Sequence, residues 1–421
     1  MTKIILHLDM NSYFASLEQQ AYPSLRGQPV GVAGKGEGER TVIAGASIEA
    51  KRLGVDSGMS SWEARRICPN LIIIPANYER YTFISRRIFQ LMEKFSPKVD
   101  IFSIDEAFLE LDEALGWEGA VALAKQIKAI IRRQIGSWVT CSVGISYGKT
   151  LAKLASELQK PDGLTLIRPS EFTELAKKTA IEKVCGIGFR LGPRLNQMGI
   201  RTLHQLGASP KSVLVEVFGE YTGTWLHSIG NGVDDNKLRS FRQLPQEKSV
   251  GHSYTLPRDI HSEEDLKKVL LLLSERVGVR LRRKNLIGRT VFVYLRFWDR
   301  TGWGARHSQK EYIMDGYQIY NSGRRILKLN PIMPPVRLVA ITVSDLVKRA
   351  ETTKPLFGED QGKERLVYSV DQLNNRYGEF TVFRASLTTI KERIFNLPDG
   401  RNHRLYLPEI TKANPFTKRL F

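Results

Sequence analysis

The sequence predicts an α+β protein of several domains, on three observations. Residues 1–165 mix short apolar strands with amphipathic helices and lack a strict βαβα rhythm, which favours an antiparallel sheet. Residues 170–235 read as all-helical with glycine turns, and residues 248–346 mix helices and strands again. A chain of 421 residues is long enough for about two to four such domains.

Ile4 to Leu8 reads as a buried strand ending at Asp9, and Asn11-Ser12 as the cap of a helix through Phe14, Leu17 and Ala21. Pro29–Val32 and Thr41–Ala44 read as strands around a flexible glycine-rich turn, Gly34-Lys35-Gly36-Glu37-Gly38. Ser60–Ile67 and Tyr78–Phe95 look helical, and Asp100–Leu111 alternates as strands do. Val121–Ile135 is an amphipathic helix, Val139–Ile145 a strand, and Lys149–Leu158 a helix. Further on, Leu266–Arg283 is helical, and Thr290–Phe297 and Leu338–Asp345 are strands. Linkers are expected near 166–170 and 236–248.

Composition excludes several classes. At 42% hydrophobic and 25% charged residues the chain is an ordinary globular protein and not a disordered one. No apolar run approaches the roughly 18 residues of a membrane helix, and the apolar stretch before Asp9 is too short for a signal peptide. Cys68, Cys141 and Cys185 fit neither a zinc knuckle nor a disulfide framework, so a reducing, cytoplasmic setting is expected. The net charge of +19 points to a polyanionic partner. Residues 241–350 alone carry +11, with the densest stretch at Arg280, Arg282, Arg283, Lys284 and Arg289, as in a phosphate track beside a near-neutral catalytic body.

Asp9 and the pair Asp105-Glu106 lie in apolar strand surroundings, where acids are rare unless paired or bound to metal. In a straight strand Asp105 and Glu106 face opposite ways, so they serve one site only if the chain turns there. With that turn and Asp9 next door, three carboxylates converge into a set that suits two Mg²⁺ ions. The structural alternative is that they cap strand ends or pair with arginines. Gly148-Lys149-Thr150 resembles the end of a P-loop, but the required glycine would be Val143, so an NTPase is rejected. Lys149 and Lys153 are instead expected on one helix face near phosphates.

The segments Leu8-Asp9-Met10-Asn11-Ser12-Tyr13-Phe14-Ala15-Ser16-Leu17-Glu18 and Ser103-Ile104-Asp105-Glu106-Ala107-Phe108 resemble the two signature motifs of the Y-family (translesion) DNA polymerases. Asn77-Tyr78-Glu79, Phe95-Ser96-Pro97-Lys98-Val99, Gly144-Ile145-Ser146, Lys149-Thr150-Leu151-Ala152-Lys153-Leu154-Ala155 and Lys160-Pro161-Asp162-Gly163 extend the resemblance, which covers roughly residues 1–350. It implies a right-hand architecture. An antiparallel-sheet palm and small fingers would occupy 1–166 (fingers about 20–76) and a helical thumb 167–240. A DNA-binding α/β little finger would occupy 241–350, with a tail over 351–421.

The resemblance also implies roles. Asp9, Asp105, Glu106 and the Met10 backbone carbonyl would hold two Mg²⁺, with the three carboxylates catalytic. Phe14 would be the steric gate against a 2′-hydroxyl, next to Tyr13, which is a second candidate at the sugar although packing suits it better. Lys51 and Lys160 would bind the incoming dNTP. Ile48 and Lys51 depart from the family's Tyr-Glu-Ala-Arg pattern, and Asn11 stands where many relatives have Asp. These departures lean towards the UmuC-like branch, whereas later segments lean towards DinB (polymerase IV). Val184-Cys185-Gly186-Ile187-Gly188 resembles a helix-hairpin-helix turn, in which Gly186 and Gly188 let the backbone approach a DNA phosphate. Lys248, Arg282, Arg283 and Lys284 would follow the duplex in the little finger.

The expected partners are primer-template DNA, dNTPs and the sliding clamp, with no membrane and a monomeric chain. The clamp peptide is expected at Lys354-Pro355-Leu356-Phe357, with Arg419-Leu420-Phe421 as a rival. The enzyme would lack proofreading and tolerate damage, as the family does. A non-catalytic DNA-binding relative is one alternative, and the three retained carboxylates argue against it. A nucleotidyl cyclase is another, and the duplex grip argues against that.

Overall fold

The computed structural model describes residues 3–34, 41–234, 237–239, 246–329, 335–351 and 359–388. The chain divides into two compact units with the boundary between Leu244 and Pro245, inside the expected 236–248 linker. The expected break near 166–170 separates no unit: the helical segment that follows belongs with residues 1–166.

In the first unit a five-stranded sheet has the order β5-β6-β1-β7-β8, with β1 (Ile4–Met10) at its centre. Every residue of β1 is buried, so it reads as a continuous apolar run interrupted only by His7 and Asp9. α1 (Tyr13–Ala21) follows. The residue before it, Ser12, has φ 48° and makes no side-chain cap, contrary to the expected Asn11-Ser12 cap. The Asn11 side chain instead donates to Ser142 Oγ at 2.9 Å and accepts from the Asp162 backbone N–H at 2.8 Å.

A small sheet of β2 (Val30–Ala33), β3 (Ile43–Ala46) and β4 (Ile72–Pro75) in the order β3-β2-β4 carries α2 (Ile48–Arg52) and α3 (Ser61–Ile67). Most of the expected glycine-rich turn, from residue 35, lies outside the described residues. α4 (Tyr78–Met92) then leads to β5 (Val99–Ile101) and β6 (Glu106–Leu111). The alternating run expected over 100–111 is thus two antiparallel strands, with residues 102–105 as the hairpin tip.

α5 (Gly116–Gln134) covers the sheet, and β7 (Cys141–Ser146), α6 (Lys149–Leu158) and β8 (Leu164–Leu166) complete it. Gly144 permits the tight packing of α6 on β7: a Cβ there would lie 2.0 Å from the Ala152 carbonyl oxygen. A separate apolar core joins α7 (Phe172–Lys178), α8 (Leu191–Gln197), α9 (Leu203–Ala208), α10 (Lys211–Phe218) and α11 (Glu220–Gly230).

The second unit is a four-stranded antiparallel sheet, β11-β10-β12-β9, backed by two helices. Its strands are β9 (Ser249–Ile260), β10 (Leu286–Phe297), β11 (Gly302–Ile313) and β12 (Val336–Lys348). The helices are α12 (Glu263–Arg283) and α13 (Gly316–Leu327). α14 (Glu359–Tyr377) also belongs to this unit, so part of the expected tail is a packed helix. β9 and β11 escaped the sequence reading. β11 is an edge strand of mostly polar residues and glycine, so it offers little apolar alternation.

Candidate active site

Asp9 lies near the C-terminal end of the central strand β1, where it pairs in register with Glu106 on one side and Ser142 on the other. Asp105 sits in the turn before β6, its carbonyl accepting from the Met10 N–H at 3.0 Å. Glu106 is the first strand residue after the turn, and its carbonyl accepts from the N–H groups of Phe102 and Ser103. The hairpin tip therefore removes the strand alternation that would have separated the two acids. Asp9, Asp105, Glu106 and Met10 line one cavity of about 580 Å³ together with Phe14, Ile48, Lys51, Arg52, Lys153 and Lys160. The structure brings together every residue expected around the metal and the nucleotide. It adds Arg52, and it brings in Lys153, which was expected near phosphates.

Burial and neighbouring cations act on these acids in opposite directions. Burial pushes Asp9 above the usual carboxylate range against the pull of Lys160, whose Nζ donates to Asp9 Oδ2 at 2.8 Å. Burial likewise raises Asp105, opposed by a hydrogen bond from Ser103. Burial would also raise Glu106, but its partners His7 and Lys153 outweigh it and hold the carboxyl at about 2. Lys149 and Lys153 share one face of α6 as expected, and there they meet carboxylates: Lys149 pairs with Asp100 at 2.6 Å and Lys153 with Glu106. The false P-loop is explained by Asp234, which accepts from the Thr150 and Leu151 N–H groups and so occupies the helix end a phosphate would need.

Phe14 stacks on Tyr81 with centroids 4.7 Å apart and meets Tyr78 edge-on at 6.2 Å. This pair fixes the ring at the cavity wall. Tyr13 is 3% exposed and donates its hydroxyl to the Tyr81 carbonyl at 2.7 Å. Tyr13 lines the same cavity, with its hydroxyl turned back onto α4. Lys160 is held in place by a loop clamp. Lys128 Nζ donates to the carbonyls of Cys141 (2.8 Å), Asp162 (2.6 Å) and Gly163 (3.1 Å) and to Asp162 Oδ1 (2.8 Å).

In the helical segment Gly186 has φ +102°, and a Cβ there would come within 2.7 Å of the Trp225 ring. Nothing lies within 4 Å of a Cβ built on Gly188, which leaves the turn open to an approaching phosphate. In the second unit Lys248 and Arg283 are exposed and Lys284 is half-buried, 3.4 Å from Glu247. Arg282 is different. Its side chain is 4% exposed, it donates to both oxygens of Asp371 at 2.6 and 2.8 Å, and it reaches the Met314 carbonyl at 3.0 Å. Its assignment to DNA is corrected: it fastens α12 to α14. The expected clamp peptides at 354–357 and 419–421 lie outside the described residues. Among the described residues no helix is long and apolar enough to cross a membrane.

A carboxylate cluster at the strand ends of a largely antiparallel sheet, facing a basic pocket with an aromatic wall, defines a palm-type nucleotidyl-transfer site. Comparison with known proteins agrees. Residues 8–157 match the model of the impB/mucB/samB family, residues 247–356 the C-terminal domain of that family, and residues 182–234 the thumb domain of DNA polymerase-iota. The chain is 37% identical over 388 residues to the DNA polymerase IV of Moorella thermoacetica, covering 91% of this chain and 96% of that one. It is 36% identical to the DNA polymerase IV of Pelotomaculum thermopropionicum, covering 91% and 95%. Among solved structures it resembles a Y-family DNA polymerase chimera of Dbh and Dpo4, with a TM-score of 0.72 and 26% identity over 82% of this chain and 99% of that one. The chain belongs to the Y-family DNA polymerases, on the DNA polymerase IV side, and is an enzyme of the DNA-directed, translesion class.

Proposed function

We propose that this chain extends a primer on a DNA template with Asp9, Asp105 and Glu106 as the catalytic residues and two Mg²⁺ ions as its cofactor. The convergence of three carboxylates on one cavity carries the reading. Their donor set fits the ion: oxygen ligands suit a hard cation, and two lysine ammonium groups already sit on them. Asp9, Asp105, Glu106 and the Met10 carbonyl would hold the ions. When bound, Mg²⁺ supplies the charge that acidifies the primer 3′-hydroxyl and neutralises the triphosphate.

The chain's own residues do the rest. Lys51, Arg52 and Lys160 offer ammonium and guanidinium donors to the triphosphate, and the clamp at Lys128 keeps Lys160 in reach. Phe14, braced by Tyr81, excludes a 2′-hydroxyl by bulk. The Gly186–Gly188 turn and the exposed Lys248 and Arg283, with Lys284, take backbone phosphates, which position the duplex without reading its sequence. A monomer working in the cytoplasm and a sliding clamp bound through 354–357 complete the proposal. Deleting 354–357 should abolish stimulation by the clamp.

Primer extension on undamaged and abasic templates with Mg²⁺ tests the site. Wild type should extend both, and Asp105→Ala/Glu106→Ala should extend neither while still binding primer-template. Extension by the double variant would remove these carboxylates from the chemistry.

A further inference from the structure

Phe102 stands at the tip of the hairpin that carries Asp105 and Glu106, and its N–H donates to the Glu106 carbonyl at 3.0 Å. Its ring is 49% exposed, although a phenyl ring gains by leaving water. Its neighbours hold the ring in place. Buried Phe108 meets it edge-on with centroids 5.7 Å apart. The ammonium groups of Lys153 and Lys149, on one face of α6, lie 5.0 and 5.6 Å from its centroid. These lysines are themselves fixed by Glu106 and Asp100. The result is a braced, half-bare aromatic surface bordered by positive charge. Such a surface suits a sugar or base on a strand whose phosphates are anionic.

The sheet order β5-β6-β1-β7-β8 places this ring on one flank of the acids. Phe102 follows β5, at one edge of the sheet. Lys160, proposed for the triphosphate, precedes β8, at the other edge. Glu106 and Asp9 lie between them on β6 and β1. In phosphoryl transfer the attacking and leaving oxygens stand roughly in line. With the leaving pyrophosphate on the Lys160 side, the primer 3′-hydroxyl arrives from the Phe102 side. The glycine hairpin turn adjoins the same edge. Burial raises the Cys185 thiol, and the charges of Lys153, Glu106 and Lys149 reach it. Gly186 is the next residue, so the turn offered to a backbone phosphate lies close to the lysines at Phe102.

We propose that Phe102 is the platform for the primer-terminal nucleotide. Its ring packs on the terminal deoxyribose, keeps that nucleotide stacked on the primer, and holds the 3′-hydroxyl towards Asp105 and Glu106. The incoming dNTP makes no use of this contact. The inference rests on the polymerase reading of the carboxylates and deepens it by assigning the primer side.

The experiment uses the full-length chain and a primer-template with 2-aminopurine at the primer 3′ end, whose emission rises when the base unstacks. Bound to wild type the probe should stay quenched; at equal saturation with Phe102→Ala its emission should rise at least about twofold. Single-turnover insertion should slow about tenfold in Phe102→Ala, with the half-saturating dNTP concentration changed by less than about twofold, and Phe102→Tyr should restore the rate. Equal emission from wild type and Phe102→Ala would overturn the proposal, as would a defect that appears only as weaker dNTP binding. Should Phe102→Ala fail to fold by circular dichroism, Phe102→Gln, polar yet long enough to cover Phe108, decides on the same readouts. The emission needs no turnover. A wild type that binds DNA without extending the primer would therefore count against the polymerase reading, while the emission judges Phe102 separately.

Discussion

Arg282 and Arg283 are neighbours in one basic run, and their surroundings differ: Arg282 is buried, whereas Arg283 is exposed and donates to Asn375 Oδ1 at 2.5 Å. The Arg282 guanidinium is bidentate to Asp371, and the two side chains are 4% and 13% exposed. Arg282→Met leaves the Asp371 carboxylate buried without its counter-charge, which costs about 3–5 kcal/mol. For a unit of this size that is a fall in Tm on the order of 10 °C. Removing both charges, in Arg282→Met/Asp371→Leu, should recover most of the loss. Arg283 is exposed, so Arg283→Met should change stability by at most about 1 kcal/mol.

DNA binding separates the two residues again. Each phosphate contact contributes roughly −0.9 to the slope of log K against log salt concentration. Arg283→Met should make the slope shallower by about that amount, whereas Arg282→Met, measured below its Tm, should leave it unchanged. Thermal unfolding and a salt titration of primer-template affinity read both quantities. The reasoning fails if Arg282→Met melts with wild type while its salt slope becomes shallower.

Phe14→Ala removes the ring that Tyr81 braces and should raise ribonucleotide incorporation at least about tenfold; unchanged sugar selection in a single-nucleotide insertion assay would move the gate elsewhere. Lys128→Met frees the 160–163 loop and should raise KM for dNTP several-fold with a smaller effect on kcat, with partial rescue by Lys128→Arg; an effect on kcat alone would contradict the clamp. Burial and the nearby charges of Arg276 and Arg280 push His252 down to about 3. The unfolded chain therefore takes up a proton near pH 6.5 that the folded chain refuses until far lower. Stability of the second unit is full above that pH and falls as pH drops from 6.5 towards 3, by at most about 1.4 kcal/mol per unit. His252→Gln should flatten denaturant midpoints measured across that range, and an equally steep decline in the variant would assign the effect to other groups.

Much of the site was legible before folding, because local composition forces it. Acids within apolar strand segments need a special reason, so Asp9, Asp105 and Glu106 stood out, and the resemblance of their two segments to the polymerase motifs selected metal binding over strand capping. The continuous apolar run of β1 and the amphipathic helix α12 could be read directly, whereas the polar edge strand β11 could not. His7 was missed although its signal was available: a polar residue two places before Asp9 on the same buried strand face.

Sequence alone determined the chemistry of the parts: the carboxylates, the aromatic at position 14, the basic excess in 241–350 and the glycine hairpin. Tertiary structure decided which parts meet. The turn at 102–105 places Asp105 and Glu106 on one site, since only a break in strand alternation can do so. Lys153 became a partner of Glu106, and Tyr13 a support for its neighbour, through contacts between residues dozens of positions apart. Of two adjacent arginines, Arg282 turned inward because Asp371, 89 residues later, waits there on α14. A burial pattern of that kind depends on what packs against a helix face, and adjacent residues on a helix lie about 100° apart, so charge counting cannot distinguish them.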